Sequence, residues 1–213
     1  MLDTVIRFFQ SGGPFMYPIL VVLAIGLTIS IERYLYLSSA KMRNRRVLNK
    51  IMPLLEKGEM NSVIQATRES NATVSKILAQ GLNNFKTARR RDDIEASMEE
   101  SIMEAIPRLE KRTHYLAMFA NIATLLGLLG TIIGLIKAFT AVAQVDPSMK
   151  AEILSTSISV AMNTTAFGLI VAIPLLLLYT YLQTKTTEII DSLEMATVRF
   201  VNHLAKIKNS TGQ

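Results

Sequence analysis

Three stretches of the chain are almost free of charged residues and are long enough to cross a membrane. They cover residues 14–37, 116–143 and 153–183. A hydrocarbon core of about 30 Å requires roughly 20 apolar residues in a helix. The pattern therefore predicts three transmembrane helices. A cleaved signal peptide is the alternative for the first stretch, but it ends in Glu32-Arg33 and lacks a small-residue cleavage site.

The segments outside these spans are also patterned. Residues 1–13 place Val5, Ile6, Phe8 and Phe9 together and end in Gly12-Gly13-Pro14, which predicts a short amphipathic segment on the membrane surface. Residues 144–152 form a predicted turn, in which Asp146-Pro147-Ser148 is a helix-start signal.

The long loop 38–115 and the tail 184–213 carry apolar residues at helical spacing. The loop predicts one helix over Thr73–Phe85 and another that starts at Asp92-Asp93, where acids favour a helix N-terminus. Pro53 is a candidate kink or helix start, and Pro107 is a candidate kink. The fold class is therefore an all-α membrane protein with three transmembrane helices and long cytoplasmic helical extensions.

Composition supports this interpretation through its distribution along the chain. Half of the residues are hydrophobic, 19% are charged and the net charge is +6. The positive charges cluster beside the spans, at Lys41, Arg43, Arg45 and Arg46 after the first and at Arg108, Lys111 and Arg112 before the second. Positive residues remain on the cytoplasmic side. We therefore expect a multi-pass protein of the bacterial inner membrane with a periplasmic N-terminus, a cytoplasmic C-terminus and no nucleic-acid partner.

Motifs for enzymatic chemistry are missing from the sequence. It has no cysteine, only two histidines, and no P-loop, zinc-protease or nucleotide-binding signature. We expect no enzyme activity, no cofactor and no metal site.

The second span concentrates small residues on one helical face. At 100° per residue, Thr124, Gly127, Thr131, Gly134 and Ala138 fall within about 80°. Small residues let another helix approach closely. The residues predicted to serve helix packing are Gly127, Gly130, Gly134, Gly168 and Pro174, the last also being a candidate kink. Packing explains the glycines fully and the threonines only in part, although a buried threonine can bond its own helix.

The third span is polar in its first half. Ser159, Asn163, Thr164 and Thr165 belong to a group of seven polar residues. Hydroxyl and amide groups in lipid require partners, so they face other helices or water. An ion or water pathway and a polar partner helix both remain open.

Acidic residues are absent from the second and third spans. Their one charge is Lys137, which we expect to snorkel. Glu32 is expected to pair with Arg33 or with loop cations at the inner end of the first span. Proton relays in membranes generally use a carboxylate or histidine. If this chain conducts protons, we expect a partner to supply the acid.

Two segments carry a family resemblance. LLGLLGTIIGLIKAF, Leu125–Phe139, resembles the L-G-L-x-G-T-V-x-G segment of ExbB and TolQ proteins, and TTAFGLIVAIPLLLLY, Thr164–Tyr179, resembles their A-T-A-x-G-L-x-A-A-I-P-A-V segment. The chain thus resembles the MotA/TolQ/ExbB proton channel family, in its ExbB/TolQ branch.

The resemblance implies roles for several residues and partners. Thr131 and Thr165 match the family's pore threonines, and the wider pathway set predicted here is Thr131, Thr165, Thr124, Asn163, Ser159 and Thr164. The family implies a ring, usually pentameric, around a dimer of a single-span ExbD/TolR-type subunit that supplies a membrane aspartate. A TonB- or TolA-like protein and membrane lipids are further implied partners.

One position departs from the family pattern. Many relatives carry glutamate five residues before the second threonine, where this chain has Val160. Asn163 or Ser159 is a hypothetical water site in its place. The expected function is a stator-like proton-channel subunit that converts proton motive force into work for a TonB- or Tol-like envelope process. The alternative is a non-conducting scaffold that clamps a partner helix.

Overall fold

The computed structural model describes residues 8–9, 12–85 and 91–211, with side chains as far as Lys206. In the described residues after Gly13, every regular secondary-structure element is an α-helix. In chain order they are α1 Met16–Glu56, α2 Met60–Arg68, α3 Thr73–Phe85, α4 Arg91–Glu110, α5 His114–Val142 and α6 Pro147–Thr211. The all-helical fold class is confirmed. Residues 1–7, 10 and 11 of the predicted N-terminal segment, including Val5 and Ile6, lie outside the described residues.

The first and last helices extend well beyond the predicted spans. α1 contains 41 residues and α6 contains 65. Pro53, Pro107 and Pro174 all lie inside helices, so none of them ends one. The predicted helix over Thr73–Phe85 is confirmed with these bounds, and Asp92 and Asp93 occupy the first turn of α4 as expected.

The helix ends follow local backbone rules. Gly58 has φ +75°, and Glu59 N–H donates to the Leu54 carbonyl at 3.0 Å, which is a Schellman-type end for α1. α6 begins at Pro147, because the fixed φ of proline suits the first helical position. Six residues of the predicted 144–152 turn are thus already helical.

One compact unit consists of the described residues up to Glu32 together with Arg112–Tyr181. In it α6 is antiparallel to α5 and parallel to α1, because Gly13 of the N-terminal turn lies against Val160 and Gly26 of α1 lies against Leu175. Along the α5–α6 contact the residue numbers increase on α5 and decrease on α6, since Gly127 lies against Gly168 and Gly134 against Ala161. Buried side chains of all three helices form its core, among them Met16, Ile19, Leu116, Ala120, Val171 and Leu175.

The second unit consists of Arg33–Lys111 and the residues from Leu182 onward. Its core comes from five helices, α1 to α4 and the C-terminal part of α6, and includes the fully buried Val63 of α2. Fully or nearly buried members include Leu37, Ile51, Ile77, Leu78, Met98, Leu193 and Phe200.

Three helical stretches have the length and composition to cross a membrane. Met16–Glu56, Arg91–Val142 and Pro147–Lys206 contain 18-residue windows of mean hydropathy 1.7, 2.1 and 2.0. Only 22–28% of each window is buried within the chain. Large apolar side chains such as Leu125 and Leu177 are therefore exposed, at 62% and 67%, and require lipid or other subunits to cover them.

Candidate functional site

The centre of the predicted site is a close approach of two helix backbones. A Cβ atom placed on Gly168 would lie 2.7 Å from the Ala123 carbonyl oxygen and 3.1 Å from the Gly127 Cα. A Cβ on Gly127 would lie 3.2 Å from the Thr165 Cα. These positions require glycine because the obstacles are backbone atoms, which cannot rotate away. A close approach of this kind is what small residues such as Gly127 and Gly168 permit between two helices.

The neighbouring glycines of α5 extend the same contact. A Cβ on Gly130 would lie 2.5 Å from Thr164 Cγ2, and one on Gly134 would lie 3.0 Å from the Ala161 Cβ. Pro174 differs from the other predicted packing residues. It is exposed and lies about 120° around α6 from Gly168, away from α5. Pro174 is therefore not part of the close α5–α6 contact.

Thr165 bonds across the interface. Its hydroxyl donates to the Gly127 carbonyl oxygen at 3.0 Å. Gly127 lies one turn before Thr131, so in a regular α-helix the same carbonyl accepts the Thr131 backbone N–H. One carbonyl thus links both threonines that the sequence singled out.

Thr131 and Thr124 bond within their own helix. The Thr131 hydroxyl donates to the Leu128 carbonyl at 2.6 Å and that of Thr124 to the Ala120 carbonyl at 3.1 Å. Such bonds satisfy a hydroxyl without a pathway. Neither residue is enclosed, however, because Thr131 is half-buried and Thr124 is exposed.

Thr131, Thr124 and Thr165 share one edge of the α5–α6 pair. Thr131 and Thr124 lie about 40° and 60° from Gly127 in the same rotational sense. Thr165 is displaced in the same sense from Gly168, by about 60°. In an antiparallel pair equal rotations reach the same side. We call this side, made by Thr124, Thr131 and Thr165, the threonine edge.

Thr164 belongs to the interior. It is buried, and its hydroxyl lies within hydrogen-bond distance of the Gly12 and Val160 carbonyls. It therefore fastens the N-terminal turn to α6. The sequence set this residue among the pathway candidates, and its place in the structure indicates a packing role. Only the glycine pair at Gly12-Gly13 hinted at a close approach there.

Asn163 and Ser159 lie on other faces of α6. They are about 160° and 120° around the helix from Thr165. Val160 lies about 140° from Thr165 on the other side, where its Cγ1 approaches the Gly13 backbone. The structure does not bring these three residues to the threonine edge.

The two charged residues at the end of the first span have separate partners. The Glu32 carboxylate lies 3.4 Å from the Arg112 guanidinium, a loop cation, which is the second of its two predicted partners. Arg33 is buried, donates to the carbonyls of Leu109 and Arg108 at the end of α4, and lies over the Tyr36 ring. Sequence reasoning missed this role of Arg33, because backbone acceptors leave no residue pattern.

The described residues contain no group of three or more His, Asp or Glu side chains that could hold a metal ion. The polar side chains of the threonine edge are hydroxyls, and their hydrogen-bond acceptors are backbone carbonyls.

Comparison with known proteins gives a consistent set of matches. A profile of the MotA/TolQ/ExbB proton channel family matches residues 69–195. A putative biopolymer transport protein ExbB homolog of Methanothermobacter thermautotrophicus is 29% identical over 194 residues, which is 90% of this chain and 67% of that protein. The biopolymer transport protein ExbB of Neisseria gonorrhoeae is 24% identical, over 87% of this chain and 90% of its own length. An ExbB-like protein of Synechocystis is 24% identical over 79% of this chain.

Proposed function

Because the chain belongs to the MotA/TolQ/ExbB proton channel family, in the branch of ExbB and TolQ, we propose that it is a proton-channel subunit of an inner-membrane complex. This complex converts proton motive force into mechanical work for an envelope process of the TonB or Tol kind. The names of its relatives, biopolymer transport proteins, agree with such a role.

The observation that carries this proposal is the threonine edge. Thr131 and Thr165 lie on one side of a helix pair so close that its contact has no room for a path between the backbones. A hydrated path must then run beside the pair, along this edge. The hydroxyls can donate to or accept from water but do not titrate.

The missing component is an acid, since the second and third spans contain none. A membrane aspartate from an ExbD/TolR-type single-span subunit, placed against the threonine edge, would supply the group that takes up and releases the proton. Thr131 and Thr165 would then orient water toward that carboxylate.

A homo-oligomeric ring, with five copies as the expected number, would surround a dimer of this partner. The exposed apolar faces of the three spans support assembly, because a ring and lipid together would cover them. The clusters of positive charge beside the spans support a cytoplasmic loop and tail and a periplasmic N-terminus.

The direct test measures proton uptake in vesicles from cells that express the chain with the ExbD-type subunit of the same host. We expect Thr131→Val and Thr165→Val each to reduce uptake while the partner still copurifies. Thr140→Val is the matched control, because Thr140 is an exposed threonine of α5 that bonds its own helix, to the Ile136 carbonyl, away from this edge.

Three outcomes would each contradict a part of the proposal. Unchanged uptake in the double variant would remove the two threonines from the pathway. No uptake in any variant, with altered partner binding in the threonine variants, would identify the chain as a scaffold that clamps a helix without conducting. Uptake by the chain alone in liposomes would remove the need for a partner acid.

A further inference from the structure

A second polar feature lies in the unit formed by Arg33–Lys111 and the C-terminal part of α6. It is a cavity of about 350 Å³ between α1, α3 and α4. This volume falls at the lower end of the range for small-ligand pockets, about 300–1,000 Å³. The cavity is large enough for a phosphate group with a small substituent.

Its walls carry more positive than negative charge. Arg43 comes from α1, Lys76 from α3 and Arg108 from α4, and the one lining carboxylate is Glu104. Glu104 is already paired with Arg108, at 3.1 Å. Arg43 and Lys76 form no ion pair or hydrogen bond with any residue in the described part of the chain, so the cavity keeps two uncompensated cations.

The helices that carry Arg43 and Lys76 are joined by a hydrogen bond beside the cavity. The Asn44 side-chain oxygen, next to Arg43, accepts the Val74 N–H at 3.3 Å and so fixes the start of α3 against α1. The amides of Asn71 and Gln80 also line the cavity and add neutral donors. Two separated cations with surrounding donors match the several acceptor oxygens of a phosphate better than a single carboxylate.

We propose that this cavity binds a phosphate-bearing anion through Arg43 and Lys76. The group could belong to an anionic phospholipid or to a soluble phosphorylated molecule. Tyr36, which also lines the cavity, lies at the end of the predicted first span, and Arg43 follows seven residues later, about 10 Å further along the helix. The lipid headgroup region extends over a similar depth beyond the hydrocarbon, so both sources can reach the site.

The experiment compares two double variants of the full-length chain in mild detergent. Arg43→Gln with Lys76→Gln removes the uncompensated cations. Arg46→Gln with Lys57→Gln makes the same change of charge at exposed positions that do not line the cavity. Helix content by circular dichroism shows that each variant is folded.

Two probes distinguish the sources. Native mass spectrometry measures cardiolipin or phosphatidylglycerol retained from the membrane, and calorimetric titration with inorganic pyrophosphate measures binding of a soluble phosphate. We expect one of these to fall about tenfold or more in the cavity variant and to stay unchanged in the control, as for the loss of charge-assisted hydrogen bonds. Loss of lipid alone identifies a headgroup site, and loss of pyrophosphate binding alone identifies a soluble ligand.

The proposal is overturned if wild type binds neither probe, or if the cavity and control variants lose binding equally, which would indicate general surface charge. Proton uptake is a separate measurement, so failure of this site leaves the channel function untouched.

Discussion

The Thr165 hydroxyl donates its hydrogen bond to the carbonyl oxygen of Gly127, 38 residues away in the sequence, at 3.0 Å. This bond lies at the point where α5 and α6 are so close that a Cβ on Gly168 would come within 2.7 Å of backbone. Thr165, which matches the family's pore motif, therefore also joins two helices. For each Thr165 variant, both the stability of the protein and its proton conduction must be measured.

Thr165→Val keeps the size of the side chain and removes this bond. We expect a loss of about 0.5–1.5 kcal/mol in the free energy of unfolding, measured by unfolding in a mixed-detergent series. Thr165→Ser keeps the hydroxyl and should lose less. Equal losses in the two variants would show that the bond contributes nothing.

Gly168→Ala should destabilise the chain by about 1–3 kcal/mol, because overpacking against backbone forces the helices apart. Gly26→Ala is the matched comparison. There a new Cβ meets the Leu175 Cδ2 at 2.6 Å, a side-chain tip that shifts more readily than backbone, and the gain in helix propensity offsets part of the strain. The same unfolding series should separate the two variants, and a Gly26→Ala loss as large as that of Gly168→Ala would contradict the backbone argument.

Thr164→Val should cost more stability than Thr131→Val. Thr164 is buried and bonds toward the Gly12 carbonyl, so its loss leaves a buried acceptor unpaired, at about 1–3 kcal/mol. Thr131 lies at the accessible edge and bonds only its own helix, so we expect less than about 0.5 kcal/mol. A large loss of stability for Thr131→Val would mean that its effect on proton uptake is indirect.

Arg33→Lys should weaken the unit formed by Arg33–Lys111 and the C-terminal part of α6. A lysine cannot reproduce the planar donor group that reaches the Leu109 and Arg108 carbonyls and covers the Tyr36 ring. We expect a lower thermal midpoint by circular dichroism. Arg46→Lys, at an exposed position of the same helix, should leave the midpoint unchanged, and equal midpoints for both variants would remove the role assigned to Arg33.

The pKa of Glu69 is lowered from its ordinary value of 4.5, first by a hydrogen bond from Lys50 and then by one from Gln65. A lowered pKa in the folded state means that the charged carboxylate favours folding. This contribution is present above the unfolded pKa and disappears as pH falls through the lowered folded value. Both groups are exposed, so the effect on stability is small.

The direct measurement is an NMR titration of the Glu69 side chain. Lys50→Gln should move its pKa back toward the ordinary value, whereas Lys57→Gln should not. An unchanged pKa in the first variant would show that the ion pair does not form in solution.

The sequence predicted those features that depend on local pattern. The helix over Thr73–Phe85 follows from apolar residues at helical spacing, and the glycine face of α5 follows from residue size. The span predicted over 153–183 and the helical tail predicted over 184–213 form one helix, α6, which ends at Thr211. A helical pattern continues through a membrane boundary without a signal, so the sequence alone does not show whether two such segments are joined without a break.

Contacts between segments that are far apart in the chain could not be predicted from the sequence either. Thr164 was grouped with Thr165 because they are adjacent, but 100° of helical rotation places one in the interior and the other at the threonine edge. The partner of Thr164, the Gly12 carbonyl, lies 152 residues earlier. Arg33 was assigned to a charge pair because its backbone partners have no signature in the sequence.

The carbonyl of Gly127 can report on the site by spectroscopy, because two hydrogen bonds are directed at it. It is expected to accept both the Thr131 amide and the Thr165 hydroxyl, and a second donor lowers the stretching frequency of a carbonyl. An isotope label confined to this one peptide group would shift its infrared band away from the rest of the helix. That band would reveal, in an energised membrane, whether the hydroxyl of Thr165 leaves its carbonyl for water while protons flow.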